Sequence, residues 1–150
     1  MKSPQRLPLG EIRRQQYEYH RKEKYPDYYE WRSPYTWLKS RFYIECATLI
    51  VFLIQGVRLH PDQISRFYGL LGALAGILLA VPNKICTLIA VFIFFGKGVL
   101  DGVDGHLARI KGLESEYGAR LDALCGKIGT VSFYVGLSFY LAFNLAGLIL

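Results

Sequence analysis

Only three cysteines occur in the 150 residues, Cys46, Cys86 and Cys125, each in apolar surroundings. They are too few and too scattered for a disulfide framework or a zinc site, and read as small hydrophobes. The first 40 residues contain no apolar run. No signal peptide is therefore expected, and targeting is expected to fall to the first membrane span. Glycine-aromatic and zinc-ligand patterns are missing too, so no nucleic-acid partner is expected despite a formal net charge of +6. Apolar residues, by contrast, make up 52% of the chain and fall in blocks rather than evenly. That distribution belongs to a membrane protein, not to a soluble core.

The charge is lopsided. Residues 1–41 hold ten of the eighteen Lys and Arg against five acidic residues. Tyr17, Tyr19, Tyr25, Tyr28, Tyr29, Trp31 and Tyr35 are interleaved with them. Residues 1–35 are therefore expected to form a cytoplasmic, interfacial or partly disordered arm facing anionic headgroups. Residues 36–58 contain a continuous apolar stretch from Cys46 to Ile54, interrupted by Thr48 and flanked by Lys39, Arg41, Glu45 and Arg58. That is about half the roughly 20 residues a span requires. An interfacial helix is the expectation, with a short span as the alternative.

From residue 61 the apolar blocks lengthen. His60-Pro61-Asp62-Gln63-Ile64-Ser65 is a helix start. A first span is expected over 65–81, and its Gly72 and Gly76 form a G-x-x-x-G element for close helix packing. A second span is expected over 85–109, a polar loop over 110–117, and a third span over 118–143. Asn144 is read as a turn, with 145–150 beginning a fourth span. Lys and Arg gather in the arm and around the loop, with only Lys84 in the opposite loop. The arm and the loop end are thus expected on the cytoplasmic side.

The chemistry is concentrated in residues 101–126. Asp101 and Asp104 lie one helical turn apart, at the end of an apolar helix where ionisable groups are costly. Residues three and four apart share a helix face. Asp101, Asp104, Gly105 and Ala108 therefore form one stripe, and Gly118, Asp122 and Gly126 another. Arg109 can offer a bidentate contact to phosphate. Three carboxylates without His or Cys suit a hard cation, Mg2+ or Mn2+, that would clamp a pyrophosphate.

The run Asp101-x2-Asp104-Gly105-x2-Ala108-Arg109-x8-Gly118-x3-Asp122-x3-Gly126 resembles the signature of the CDP-alcohol phosphatidyltransferase family, D-x2-D-G-x2-A-R-x8-G-x3-D-x3-D. Every fixed position is met but the last. Pro61 to Ser65 looks like a variant of the family's Pro-Asn-x-x-Thr pattern. The resemblance covers about residues 61–140. It implies an all-helical, polytopic membrane bundle of six spans, so 61–150 reads as an incomplete domain with three spans and a stub. By the same resemblance two divalent ions would be held by Asp101, Asp104 and Asp122, and the CDP moiety would be surrounded by Gly105, Ala108, Arg109 and Gly118. The implied reaction transfers a substituted phosphate from a CDP-linked donor to an acceptor alcohol, releasing CMP, as in phospholipid biosynthesis. Membrane lipids would be partners, a homodimer stays open, and a bacterial inner membrane is the expected location.

The family's fourth Asp is taken to be the base that deprotonates the acceptor. Here that position is Gly126, so no catalytic residue is assigned. Lys127 points about 100° away around the helix. His106 lies on nearly the opposite face from Asp104 and is expected at the surface or the lipid edge. Glu114 and Glu116 could fold over the site from the loop. Lys97, one turn before Asp101, is read as its ion-pair partner, or else as part of a phosphate-binding surface. Three readings stand together: an active transferase, a weak or inactive relative that binds CDP-lipid and metal, and a fragment of a longer chain.

Overall fold

The structure, a computed structural model, describes residues 6–20 and 34–149. Tyr25, Tyr28, Tyr29 and Trp31 of the arm lie outside the described residues. The fold is all-helical: α1 (Leu9–Tyr19), α2 (Pro34–Ile54), α3 (Pro61–Ala80), α4 (Lys84–Lys111) and α5 (Glu116–Ile149). Three helices are long and apolar enough to cross a membrane, α3, α4 and α5 through Leu145. Large apolar side chains point outward along all three, including Leu70, Ile77, Phe92, Val131 and Phe139. An apolar outer surface is what lipid requires, and the chain is an integral membrane protein.

Local chemistry sets the helix ends. Pro61 opens α3, where its missing N–H costs nothing, and Asp62 follows in the first turn. Asn83 caps α4, its Oδ1 accepting from the backbone N–H of Ile85 at 2.8 Å. At the other end of α4, Gly112 takes a positive φ of 61°. Leu113 N–H then donates to the Ala108 carbonyl and Gly112 N–H to the Arg109 carbonyl, the paired bonds of a Schellman cap. Ser115 Oγ next accepts from Gly118 N–H at 3.0 Å and starts α5. The loop expected over 110–117 is thus shorter, because both helices extend into it.

The turn expected at Asn144 is absent. Its side-chain amide donates to the Tyr140 carbonyl one turn back, at 2.7 Å, so the residue is satisfied inside the helix and does not break it. Helix α5 therefore runs on to Ile149 in place of a turn and a fourth-span stub.

The chain divides into two compact units. One comprises α1, α2 and Gly102–Glu114. In it, α1 lies against α2, Ile12, Ile44, Ala47 and Val51 are buried, and polar contacts fasten the pair. Glu45 accepts from Arg13 at 2.9 Å and from the Tyr17 hydroxyl at 2.8 Å. Burial pushes the Tyr17 phenol above its ordinary pKa, which keeps it a donor. Gln55 exchanges two hydrogen bonds with the backbone of Leu7.

The second unit comprises Asp62–Asp101 and the chain from Ser115 onward. Here α4 and α5 run antiparallel, with Phe94 against Phe133 edge to face at 5.0 Å between ring centres. Helices α3 and α5 run parallel: Gly69 faces Cys125, Gly72 faces Gly129, and Gly76 faces Ser132 and Gly136. A Cβ on Gly72 would come within 2.8 Å of the Gly129 backbone. The G-x-x-x-G element is therefore a surface of backbone-to-backbone contact, as its spacing led one to expect.

Candidate functional site

The motif residues are shared between the two units. Asp104, Gly105, Ala108 and Arg109 belong to the first, and Asp101, Gly118, Asp122 and Gly126 to the second. Asp101 is exposed and Asp122 half-buried, whereas Asp104 is 4% exposed. Gly105 N–H donates to Asp104 Oδ1 at 2.7 Å. Among the described residues, no three His, Cys, Asp or Glu side chains are drawn together as a ready metal site. Asp101, Asp104 and Asp122 each present carboxylate oxygens, the donor type a hard divalent cation takes.

In the second unit the unforeseen residue is Tyr68. Its side chain is fully enclosed, and its hydroxyl donates to the carboxylate and to the backbone carbonyl of Asp122. Asp122 is thus held in one orientation by a residue 54 positions away in sequence. A tyrosine within an apolar helix carries no local signal of such a role. Lys97 lies with its ammonium 4.9 Å from the Tyr68 ring centre, a cation–π contact. Its stem runs between Gly72 and Gly129, where side chains would displace it. The close approach of the glycines therefore makes room for a lysine inside a membrane span.

Around Gly118, a Cβ would sit 3.1 Å from Ser115 Oγ and 3.2 Å from Asp62 Oδ1. Glycine keeps this end of α5 tight, and it brings the Asp62 carboxylate to the motif, a residue the sequence marked only as a helix cap. Gly126 is different, since a Cβ there would meet nothing within 4 Å. The space for the missing carboxylate is open.

In the first unit Arg109 is engaged by α1. Its Nη2 donates to Gln16 Oε1 at 2.8 Å, and its guanidinium carbon lies 3.7 Å from the centre of the Tyr19 ring. Gln16 is 1% exposed, and its amide nitrogen is 3.2 Å from His20 Nε2. His106, expected at the surface or the lipid edge, is instead 1% exposed. The helix periodicity did turn it away from the Asp stripe, but α1 covers that face, and Ile12 and His20 lie beside the ring.

Comparison with known proteins agrees with the motif. The family model for CDP-alcohol phosphatidyltransferase matches residues 58–150. The chain belongs to the CDP-alcohol phosphatidyltransferase family. Among curated relatives, it is similar to a ceramide phosphoethanolamine synthase of Drosophila melanogaster, 35% identical over 91 residues. Those residues are 56% of this chain and 23% of the relative, so the chain spans about a quarter of that protein's length. No solved structure matches. The phosphatidyltransferase match includes every motif residue and leaves out α1 and α2.

Proposed function

We propose that the protein is a membrane phosphotransferase of the phospholipid-biosynthesis type, moving a substituted phosphate from a CDP-linked donor to an acceptor alcohol with release of CMP. The observation carrying this reading is the run from Asp101 to Asp122, correct in residue type and spacing, within a chain of this family. Asp101, Asp104 and Asp122 would hold Mg2+ or Mn2+. Gly105, Ala108, Arg109 and Gly118 would surround the CDP moiety. When bound, the divalent ions would neutralise the diphosphate and make CMP a better leaving group. Tyr68 would keep Asp122 aimed, and Arg109 would pair with a phosphate of the donor. The gathering of Lys and Arg in the arm and around the loop supports a cytoplasmic side for the arm and the motif end, with residues 36–58 along the interface.

The name of the Drosophila relative suggests the first pair to try, CDP-ethanolamine as donor and ceramide as acceptor. The test is Mg2+-dependent release of CMP from the purified protein in lipid nanodiscs, with Asp122→Asn and Asp104→Asn as controls. Release that survives chelation, or that both variants retain, would sink the proposal.

Gly126 favours a second reading. Its open space holds no carboxylate, and the residues proposed for metal and nucleotide are all present. A chain that binds CDP and metal yet releases CMP slowly or not at all would be a binding relative of the family. CDP titration beside the CMP assay separates the two.

A further inference from the structure

We propose that α1 is part of the donor-binding subsite, with Gln16 and Tyr19 acting as positioning residues for Arg109. The inference rests on the reading of Arg109 as a phosphate-binding residue. It extends that reading to a helix outside the family match, which begins at residue 58.

The geometry constrains the guanidinium twice. The cation–π contact at 3.7 Å holds the group over the Tyr19 ring, and the 2.8 Å bond from Nη2 to Gln16 fixes the direction of one arm of the fork. A flat fork held in both respects loses little freedom when it takes a second planar or tetrahedral acceptor. The partner's chemistry fits this role. Gln16 is neutral, so it orients Arg109 without cancelling the positive charge that an anionic donor requires. A glutamate at the same place would orient and neutralise together. Gln16 is in turn buried and lies against His20, so it is not a loose surface amide.

Helix α1 is itself anchored. Arg13 and Tyr17 converge on Glu45, and the backbone of Leu7 exchanges two bonds with Gln55. These contacts lie along the helix and ahead of it, and they leave Gln16 and Tyr19 in a defined place beside Arg109. A stretch that reads in sequence as a basic, aromatic membrane arm thus carries two residues addressed to the motif.

The test is CDP binding to the full chain in nanodiscs with Mg2+, measured for Gln16→Leu, Tyr19→Leu and Arg109→Ala, singly and combined. Gln16→Leu should weaken CDP binding roughly tenfold, the scale of a lost hydrogen bond to a charged group, and Tyr19→Leu by about three- to tenfold, the scale of a lost cation–π contact. In the Arg109→Ala background the same changes should have no further effect, because they act through that residue. Tyr19→Phe, which keeps the ring, should bind as wild type does. Gln16→Glu should weaken binding although the side chain still reaches Arg109.

Unchanged or tighter CDP binding by Gln16→Leu overturns the proposal, tighter binding meaning that α1 covers Arg109 rather than aiming it. An effect of equal size in the Arg109→Ala background also overturns it, since the damage is then general. If Arg109→Ala binds CDP as wild type does, or wild type does not bind it, the reading of the motif has failed as well. That result is distinct from a chain in which Arg109 matters and Gln16 does not.

Discussion

The two units solve the same packing problem by opposite means. In the unit built on α1 and α2, the buried residues include Gln16, Thr48, Gln55, Asp104 and His106. Glutamate, tyrosine and glutamine side chains tie its helices together. In the unit of α3, α5 and the first part of α4, the polar groups buried among the described residues are Ser65 and the Tyr68 hydroxyl, and glycines bring backbones into contact. The contrast follows from the solvent. Lipid is as apolar as leucine, so apolar burial does not drive helices together inside a bilayer, and close van der Waals approach must do so. In the first unit side-chain hydrogen bonds from Arg13 and Tyr17 to Glu45 hold α1 on α2, while the buried Thr48 hydroxyl makes no hydrogen bond among the described residues.

Gly126 breaks the pattern of the second unit, because every facing glycine of α3 and α5 is crowded and this one is not. Gly126→Asp should therefore be accommodated. It should raise CMP release by about 10^2 to 10^4, the range of positioned general-base catalysis, with little change in CDP affinity. An Asp form no faster than the Gly form would place the base elsewhere, with Glu114 and Glu116 first to be replaced.

The next effect lies at Tyr68. Loss of a group that orients a metal ligand weakens metal affinity by about 10- to 100-fold. Tyr68→Phe should do this in a Mn2+ titration followed by electron paramagnetic resonance, without unfolding the protein. Equal Mn2+ affinity would show that Asp122 needs no such support.

A third change attacks the glycine contact itself. Gly76→Leu should destabilise the second unit by at least the 1–3 kcal/mol typical of overpacking, because the obstruction is backbone and cannot swing away. Gly96→Ala meets nothing within 4 Å and should be harmless in the same thermal unfolding assay. Equal losses from both would erase the contrast between the two kinds of glycine.

The smallest effect belongs to the first unit. Arg13 and Glu45 are about half exposed, at 47% and 40%, and such pairs contribute about 0.2–1 kcal/mol. Glu45→Gln should modestly speed hydrogen exchange in α1, and added salt should do the same to the parent, since exposed pairs are screened. Exchange in α3 and α5 should be unmoved by either. Salt sensitivity of the same size in α3 would blur the division between the units.

What the sequence disclosed tracks the range of each interaction. The three spans, the motif and the glycine stripe are periodic or local, and each shows in a short stretch of one or two neighbouring helices. Asn144 misled because asparagine is a turn residue in water, whereas here its amide is met by a carbonyl one turn away. Tyr68 and Gln16 were invisible for a different reason. Their partners, Asp122 and Arg109, are 54 and 93 residues distant, and no spacing rule links them. His106 shows both sides at once: the period gave its face correctly, and only the tertiary fold could say what covers that face.

The cap at Gly112 reaches beyond the shape of one turn. Between Arg109 and Gly118 the chain finishes one helix, reverses at a left-handed glycine with Leu113 closing the cap, and is captured by Ser115. Spelling matters unequally in this turn: residue 114 should accept most exchanges, whereas Leu113→Pro would remove the N–H that completes the cap. The eight-residue gap of the motif thus holds a stop signal at Gly112 and a start signal at Ser115, two instructions written back to back.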